Sequence, residues 1–178
     1  EAELFVDLDL LSSGFVGNDI ATSTEKLFIL DKNGERVVGV VLATKRSEVV
    51  AGPDDLENPF SIAAFADKVF ILTSGGIYEV SRGAKKIVDE DFDQDSLPYS
   101  YAANLYVLNK KTSSISRHIP ADVDYSKAQE WFNQGFVTDL SDVWALTIDG
   151  SIWTITNQGS IRKFSLGRQE NFLIKGLF

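Results

Sequence analysis

The 178-residue sequence contains no cysteine, no methionine, one histidine and only four prolines. Without thiols there is no disulfide framework, no thiolate metal site and no cysteine nucleophile. The lone imidazole, His118, cannot build a multi-histidine metal centre, and any Ser-His-Asp relay would have to use it. Nothing around Arg117 and Pro120 suggests either, so His118 reads as a surface or hydrogen-bonded structural side chain. Bases are scarce: 17 Lys and Arg stand against 26 Asp and Glu, a formal charge of −9. That balance opposes approach to nucleic acid phosphates and to anionic lipid surfaces. No apolar run approaches the roughly 18 residues of a membrane span; the longest, Val37 to Ala43, is strand length and contains Gly39. Gly-rich phosphate loops, HExxH motifs and N-x-S/T sequons are missing as well.

What the sequence has instead is one phrase written four times. Lys26-Leu27-Phe28-Ile29-Leu30-Asp31 returns as Lys68 to Thr73, Asn104 to Asn109 and Ser151 to Thr156. The second and fifth positions are aliphatic, the third aromatic, and the sixth a short polar residue able to start a turn. The aromatics Phe28, Phe70, Tyr106 and Trp153 lie 42, 36 and 47 residues apart. A period near 40 with several short strands in each copy predicts β-propeller blades.

The expected strands are 20–23, 27–31, 37–42 and 48–50 in the first unit, and 61–66, 68–73, 77–81 and 85–89 in the second. They are 99–101, 105–109, 115–119 and 129–132 in the third, and 143–148, 152–156, 161–165 and 171–174 in the fourth. Asn33-Gly34, Gly75-Gly76 and Asp149-Gly150 mark turns. Helix formers over Ser126 to Phe132 make a short helix the competitor of the last strand in the third unit. An extra outer strand is predicted over 3–11, where Leu4, Val6, Leu8 and Leu10 alternate with Phe5, Asp7 and Asp9. The whole is one all-β domain, 1–178, with approximate blades 18–52, 59–90, 97–133 and 140–175 of four antiparallel strands each.

The second strands are apolar on both faces, unlike a half-exposed antiparallel sheet, so each must be covered on both sides. Stacked blades provide that; a Greek-key sandwich would alternate more cleanly and needs no repeat. An open arc of four blades would leave two apolar faces of about 300 Å² each. A closed four-bladed ring, an eight-bladed ring from two chains, or a segment of a larger propeller each avoids this. The segment reading is preferred, with a homodimer through blade faces or loops as the oligomeric option.

The pattern of Leu/Val, aromatic, Ile/Val, Leu, Asp/Asn/Thr is followed by a Gly-containing turn and by strands such as Gly76 to Val80 or Ser160 to Phe164. Over about residues 20 to 175 it resembles the blades of the NHL, YVTN and quinoprotein-like propeller group. More narrowly it resembles the propeller region towards the C-terminus of large membrane-anchored bacterial proteins, some of which carry a metal-dependent protein phosphatase domain. The resemblance implies a binding or sensor role and an extracytoplasmic or cell-surface setting. That phosphatase's metal motifs are missing here, so no catalysis carries over, and the Trp-Asp and Gly-His signatures of WD40 blades are missing too.

Candidate chemistry is sparse. Asp89 to Asp95 alternates carboxylates, but Gln94 holds the place of the EF-hand glycine and Ser100 that of its closing Glu, so a solvated acidic loop is expected. Trp144 and Trp153 are assigned to the core, while Trp131 remains open. One pattern is collective: the loops entering the first strands, at 14–19, 52–59, 89–98 and 134–142, carry eleven acids and no Lys or Arg. Asp54, Asp55, Glu57, Asp91, Asp93, Asp95 and Asp142 are the candidate binding residues on this rim, opposite Lys45, Arg46, Arg82, Lys85, Lys86 and Arg168. No catalytic residue, cofactor or metal is assigned. The expected function is a non-catalytic module binding a protein or envelope ligand. The alternative is a propeller hydrolase, lactonase or lyase using rim carboxylates around a divalent cation; a structural spacer is a third reading.

Overall fold

In all four units the repeated phrase is the second strand of a four-stranded antiparallel sheet. The structure, a computed structural model, describes residues 3–11, 13–81 and 83–172. Blade 1 holds β1 (Asp19–Thr22), β2 (Lys26–Asp31), β3 (Arg36–Val41) and β4 (Ser47–Ala51). Blade 2 holds β5 (Pro59–Phe65), β6 (Lys68–Thr73), β7 (Gly76–Val80) and β8 (Ala84–Val88). Blade 3 holds β9 (Leu97–Tyr101), β10 (Asn104–Asn109), β11 (Ser114–His118) and β12 (Gln129–Glu130). Blade 4 holds β13 (Val143–Ile148), β14 (Ile152–Thr156), β15 (Ile161–Ser165) and β16 (Arg168–Glu170). Each sheet uses consecutive strands, and no helix occurs among the described residues. The molecule is an all-β propeller of four blades, with β1, β5, β9 and β13 successively packed along its axis.

Side-chain alternation along the second strand divides its residues between two neighbours. The third and fifth positions face the following blade, the second and fourth the preceding one. Thus Phe28 and Leu30 share a buried cluster with Val69 and Ile71. Phe70 and Leu72 meet Leu105 and Val107. Tyr106 and Leu108 meet Ile152. This double duty explains strands that are apolar on both faces. Among the described residues no such cluster joins blade 4 to blade 1, and β13 does not pack on β1 as the other first strands pack on one another. The arc is open.

The sixth residue of each phrase caps the turn after it. Asp31 Oδ1 accepts the Gly34 N–H at 3.0 Å, Asn109 Oδ1 the Thr112 N–H at 3.0 Å, and Thr156 Oγ1 the Ser160 N–H at 3.1 Å. The Thr73 hydroxyl donates to the Gly76 carbonyl at 3.1 Å. Burial alone would push the Asp31 carboxyl up. The Gly34 N–H, the Arg36 guanidinium 2.8 Å away and the Val16 backbone outweigh burial and hold its pKa below the ordinary value.

A second regularity ties blades together at the rim. The Asn58 N–H donates to Glu35 Oε1 at 2.9 Å, the Phe92 N–H to the Ser74 carbonyl at 3.0 Å, and the Leu140 N–H to Ser113 Oγ at 3.0 Å. Each loop that enters a new blade is thereby fastened to the central hairpin of the blade before it.

Three sequence expectations change. Residues 3–11 form no strand: 3–7 have no regular structure and 8–11 bend and turn, with Leu4 79% and Leu10 88% exposed. The segment does not join a sheet edge, where a strand would find backbone partners; it runs over the outer face of blade 1. There the Lys45 ammonium lies 5.0 Å from the Phe5 ring centre, Arg36 stands over Phe15, and Gly17 sits against Ile29. In blade 3 the last strand does form in place of a helix, but only as Gln129–Glu130. In blade 4 the last strand is Arg168–Glu170, upstream of the expected 171–174, of which 173 and 174 lie outside the described residues.

Candidate functional site

The antiparallel order sends the entering loops and the central hairpins to the same rim, so the acids do not stand there alone. Lys32, Lys110 and Lys111 lie in those hairpins, and several carboxylates are already engaged. Asp55 Oδ2 accepts the Gly52 N–H of its own loop at 3.1 Å. Asp93 holds Asn109 and lies 3.5 Å from the Lys111 ammonium. Asp142 receives Arg162 Nη2 on both oxygens, at 2.7 and 2.9 Å. Asp139 accepts the Ser141 N–H, which with the Ser141 hydroxyl holds its carboxyl below the usual range. Asp19 is spent on the first seam, taking the Ser61 hydroxyl at 2.6 Å and the Ile62 N–H at 2.9 Å. Glu90 accepts the Ala128 N–H, and Asp89 pairs with Lys86 at 2.9 Å.

Asp54, Glu57, Asp91 and Asp95 remain exposed, with no hydrogen bond or ion pair among the described residues. They sit on two successive loops, between blades 1 and 2 and between blades 2 and 3. The basic side predicted opposite the rim is also thinner than its sequence suggests. Lys85 and Lys86 belong to β8, Arg168 belongs to β16, and Arg82 lies outside the described residues. Among the described residues no three His, Asp or Glu side chains come together as a cation would require.

The axis holds a cavity of about 310 Å³ lined by the first strands of all four blades, with Asp19, Ser61, Tyr99, Ser100 and Trp144 among its walls. Beside it the Tyr99 and Thr147 hydroxyls link β9 to β13 at 2.9 Å. Trp144, expected in the core, is 68% exposed here. A bulge between Val143 and Ala145 breaks the alternation of β13, so the indole turns out of the seam at the rim end of the strand. Nothing in the residue pattern signals that bulge.

The other aromatic candidates are structural. Trp131 is half-buried in the seam between blades 3 and 4, edge-on to Phe132 at 5.3 Å. Trp153 is half-buried on the outer face of blade 4 rather than in a closed core. Its Nε1 donates to Asp149 at 2.9 Å and Phe172 meets it edge-on at 5.1 Å. His118 is fully buried, its Nδ1 3.1 Å from the Ser126 carbonyl and its Nε2 3.3 Å from Ser116 Oγ.

No protein-family profile matches the sequence, and no curated protein does. Solved β-propeller structures match its fold at low identity. A structural-genomics protein of unknown function from Bacteroides thetaiotaomicron is 13% identical with a TM-score of 0.63, over 84% of this chain and 45% of that one. The computationally designed Ika4 protein is 12% identical with a TM-score of 0.61, over 94% of this chain and 100% of that one. YCF48, solved bound to a D1 peptide, is 15% identical with a TM-score of 0.56, over 90% of this chain and 55% of that one. The chain thus spans about half the length of two of these three, and what all three share with it is the propeller fold.

Proposed function

We propose that this propeller is a non-catalytic binding module whose rim and channel mouth receive a basic segment of a protein partner. The observation that carries the reading is Trp144, a largely exposed indole at the rim end of a channel walled by all four blades. Exposed Trp is the side chain most often found at the energetic centre of protein interfaces. The uncommitted carboxylates Asp54, Glu57, Asp91 and Asp95 supply a field that draws in cationic groups and orients them. A propeller of similar fold solved with a bound peptide supports the partner class. Support for the non-catalytic reading comes from the one imidazole being consumed by backbone and Ser116, and from carboxylates committed one by one to loops and hairpins. The setting we propose is a larger bacterial envelope protein, as the resemblance of the blades to the NHL, YVTN and quinoprotein-like group implies.

The test is titration of Lys/Arg-rich peptides followed by tryptophan fluorescence and by association kinetics. Trp144→Ala is expected to weaken binding about tenfold or more. Joint reversal of Asp54, Glu57, Asp91 and Asp95 to Lys is expected to slow association and flatten its salt dependence. Equal binding by wild type and both variants would overturn the proposal.

A further inference from the structure

Three seams inside the chain follow one rule, and the chain carries both halves of a fourth. On β14, Trp153 and Ile155 take the third and fifth positions that in blades 1 to 3 face a following sheet, and no sheet of the described residues covers them. Both are half-buried, and Ile161, cross-strand partner of Ile155, is 44% exposed. With Ala145 and Thr147 they line an apolar groove of about 490 Å³. At the other end Leu27 and Ile29 hold the second and fourth positions that elsewhere meet a preceding sheet. They are half-buried, whereas Val69, Ile71, Leu105, Val107 and Ile152 are at most 2% exposed. Ile20 and Val49 share that face by register and are 61% and 47% exposed at its margins, while Val38 and Val40 at its centre are fully buried.

We infer that these unlike faces join between two copies of the chain. The outer face of blade 4 seats on the outer face of blade 1 of a second copy, and the reciprocal contact closes a two-fold ring of eight blades. Complementarity selects this pairing: an aromatic and an aliphatic from one sheet against two aliphatics from the next is the contact the chain already makes twice, and a third time with Ile152 and Thr154 in the receiving positions. Area selects it as well. A blade face offers about 300 Å², so two junctions bury about 1,200 Å², the lower bound of stable interfaces, while blade 4 against blade 4 would bury only about 600 Å². The arc is also compatible with a larger ring, since it superposes on 45% of a longer propeller chain. The segment before β1 now covers part of the blade 1 face, through Gly17 on Ile29 and Phe5 beneath Lys45, and moves aside when the sheet arrives. Assembly is therefore concentration-dependent.

Sedimentation of the intact chain over a wide concentration range tests this. The expected result is a monomer–dimer equilibrium with no larger species. Trp153→Glu and Ile20→Glu, both at partly exposed positions that spare the internal seams, each weaken it about tenfold or more. Mixing the two variants restores heterodimer, because one junction then pairs an intact blade 4 with an intact blade 1. A chain that stays monomeric at the highest concentration overturns the inference. So does loss of dimer in Trp153→Glu but not in Ile20→Glu, which is the signature of blade 4 pairing with itself.

Discussion

Phe28 and Trp153 occupy the same position of the repeat and differ in everything around them. Phe28 is 1% exposed in the first seam, so Phe28→Ala removes a full ring from a closed cluster and is expected to cost about 3–5 kcal/mol in urea denaturation. Trp153→Ala, at a half-buried face, is expected to cost the monomer less than half as much. An equal loss would show that the outer face of blade 4 is covered in solution. Asp31 gives a pH readout. Its folded pKa lies below the ordinary 3.8, so its contribution is fully present above that value and is lost as pH falls through the lower, folded one. Asp31→Asn is expected to cost about 1–3 kcal/mol near neutrality, by removing the carboxylate charge that the Arg36 guanidinium and the Gly34 N–H both meet. The gap from wild type should then close in acid, which pH-dependent thermal melts would record.

At the scale of elements, strands are short and turns set their register. The β9–β10 hairpin turns on Ala102 and Ala103, at φ 49° and 65°, left-handed values that the two-residue turn demands and that alanine adopts at a cost. Ala102→Asn with Ala103→Gly supplies the residues this turn prefers and is expected to stabilise by about 1 kcal/mol, seen as a Tm rise of about 2–4 °C. The second strands were legible in the sequence because a chain such as Leu27-Phe28-Ile29-Leu30 must satisfy two neighbours at once, which leaves a dense apolar signature. The sixth-position caps were legible for the same local reason. Residues 3–11 were not: alternating Leu4, Val6, Leu8 and Leu10 promised one dry side, yet Leu4 and Leu10 are largely exposed and only Val6 and Leu8 are half-buried, because no strand partners the segment. Arg168–Glu170 carries no apolar pattern at all, because it pairs through its backbone at the outside of the blade.

For the whole molecule, the number of blades follows from the repeat count, but its surface does not follow from its charges. Eleven acids in the entering loops promised a strongly negative rim. Pairing of Asp142 with Arg162 and of Asp93 with Lys111 depends on which hairpins share that rim, a property of topology rather than of any loop sequence. Trp144 was hidden for a related reason, since one bulge reverses the face a strand residue occupies. What remains exposed is thus a smaller and more specific set than composition suggested. The consecutive strand order within every sheet also has a consequence in time. Each blade is complete once its own stretch of chain exists, with only short loops to close. Synthesis from the N-terminus can therefore finish blade 1 before blade 2 begins, each finished sheet offering Phe28, Phe70 or Tyr106 as the template on which the next one condenses.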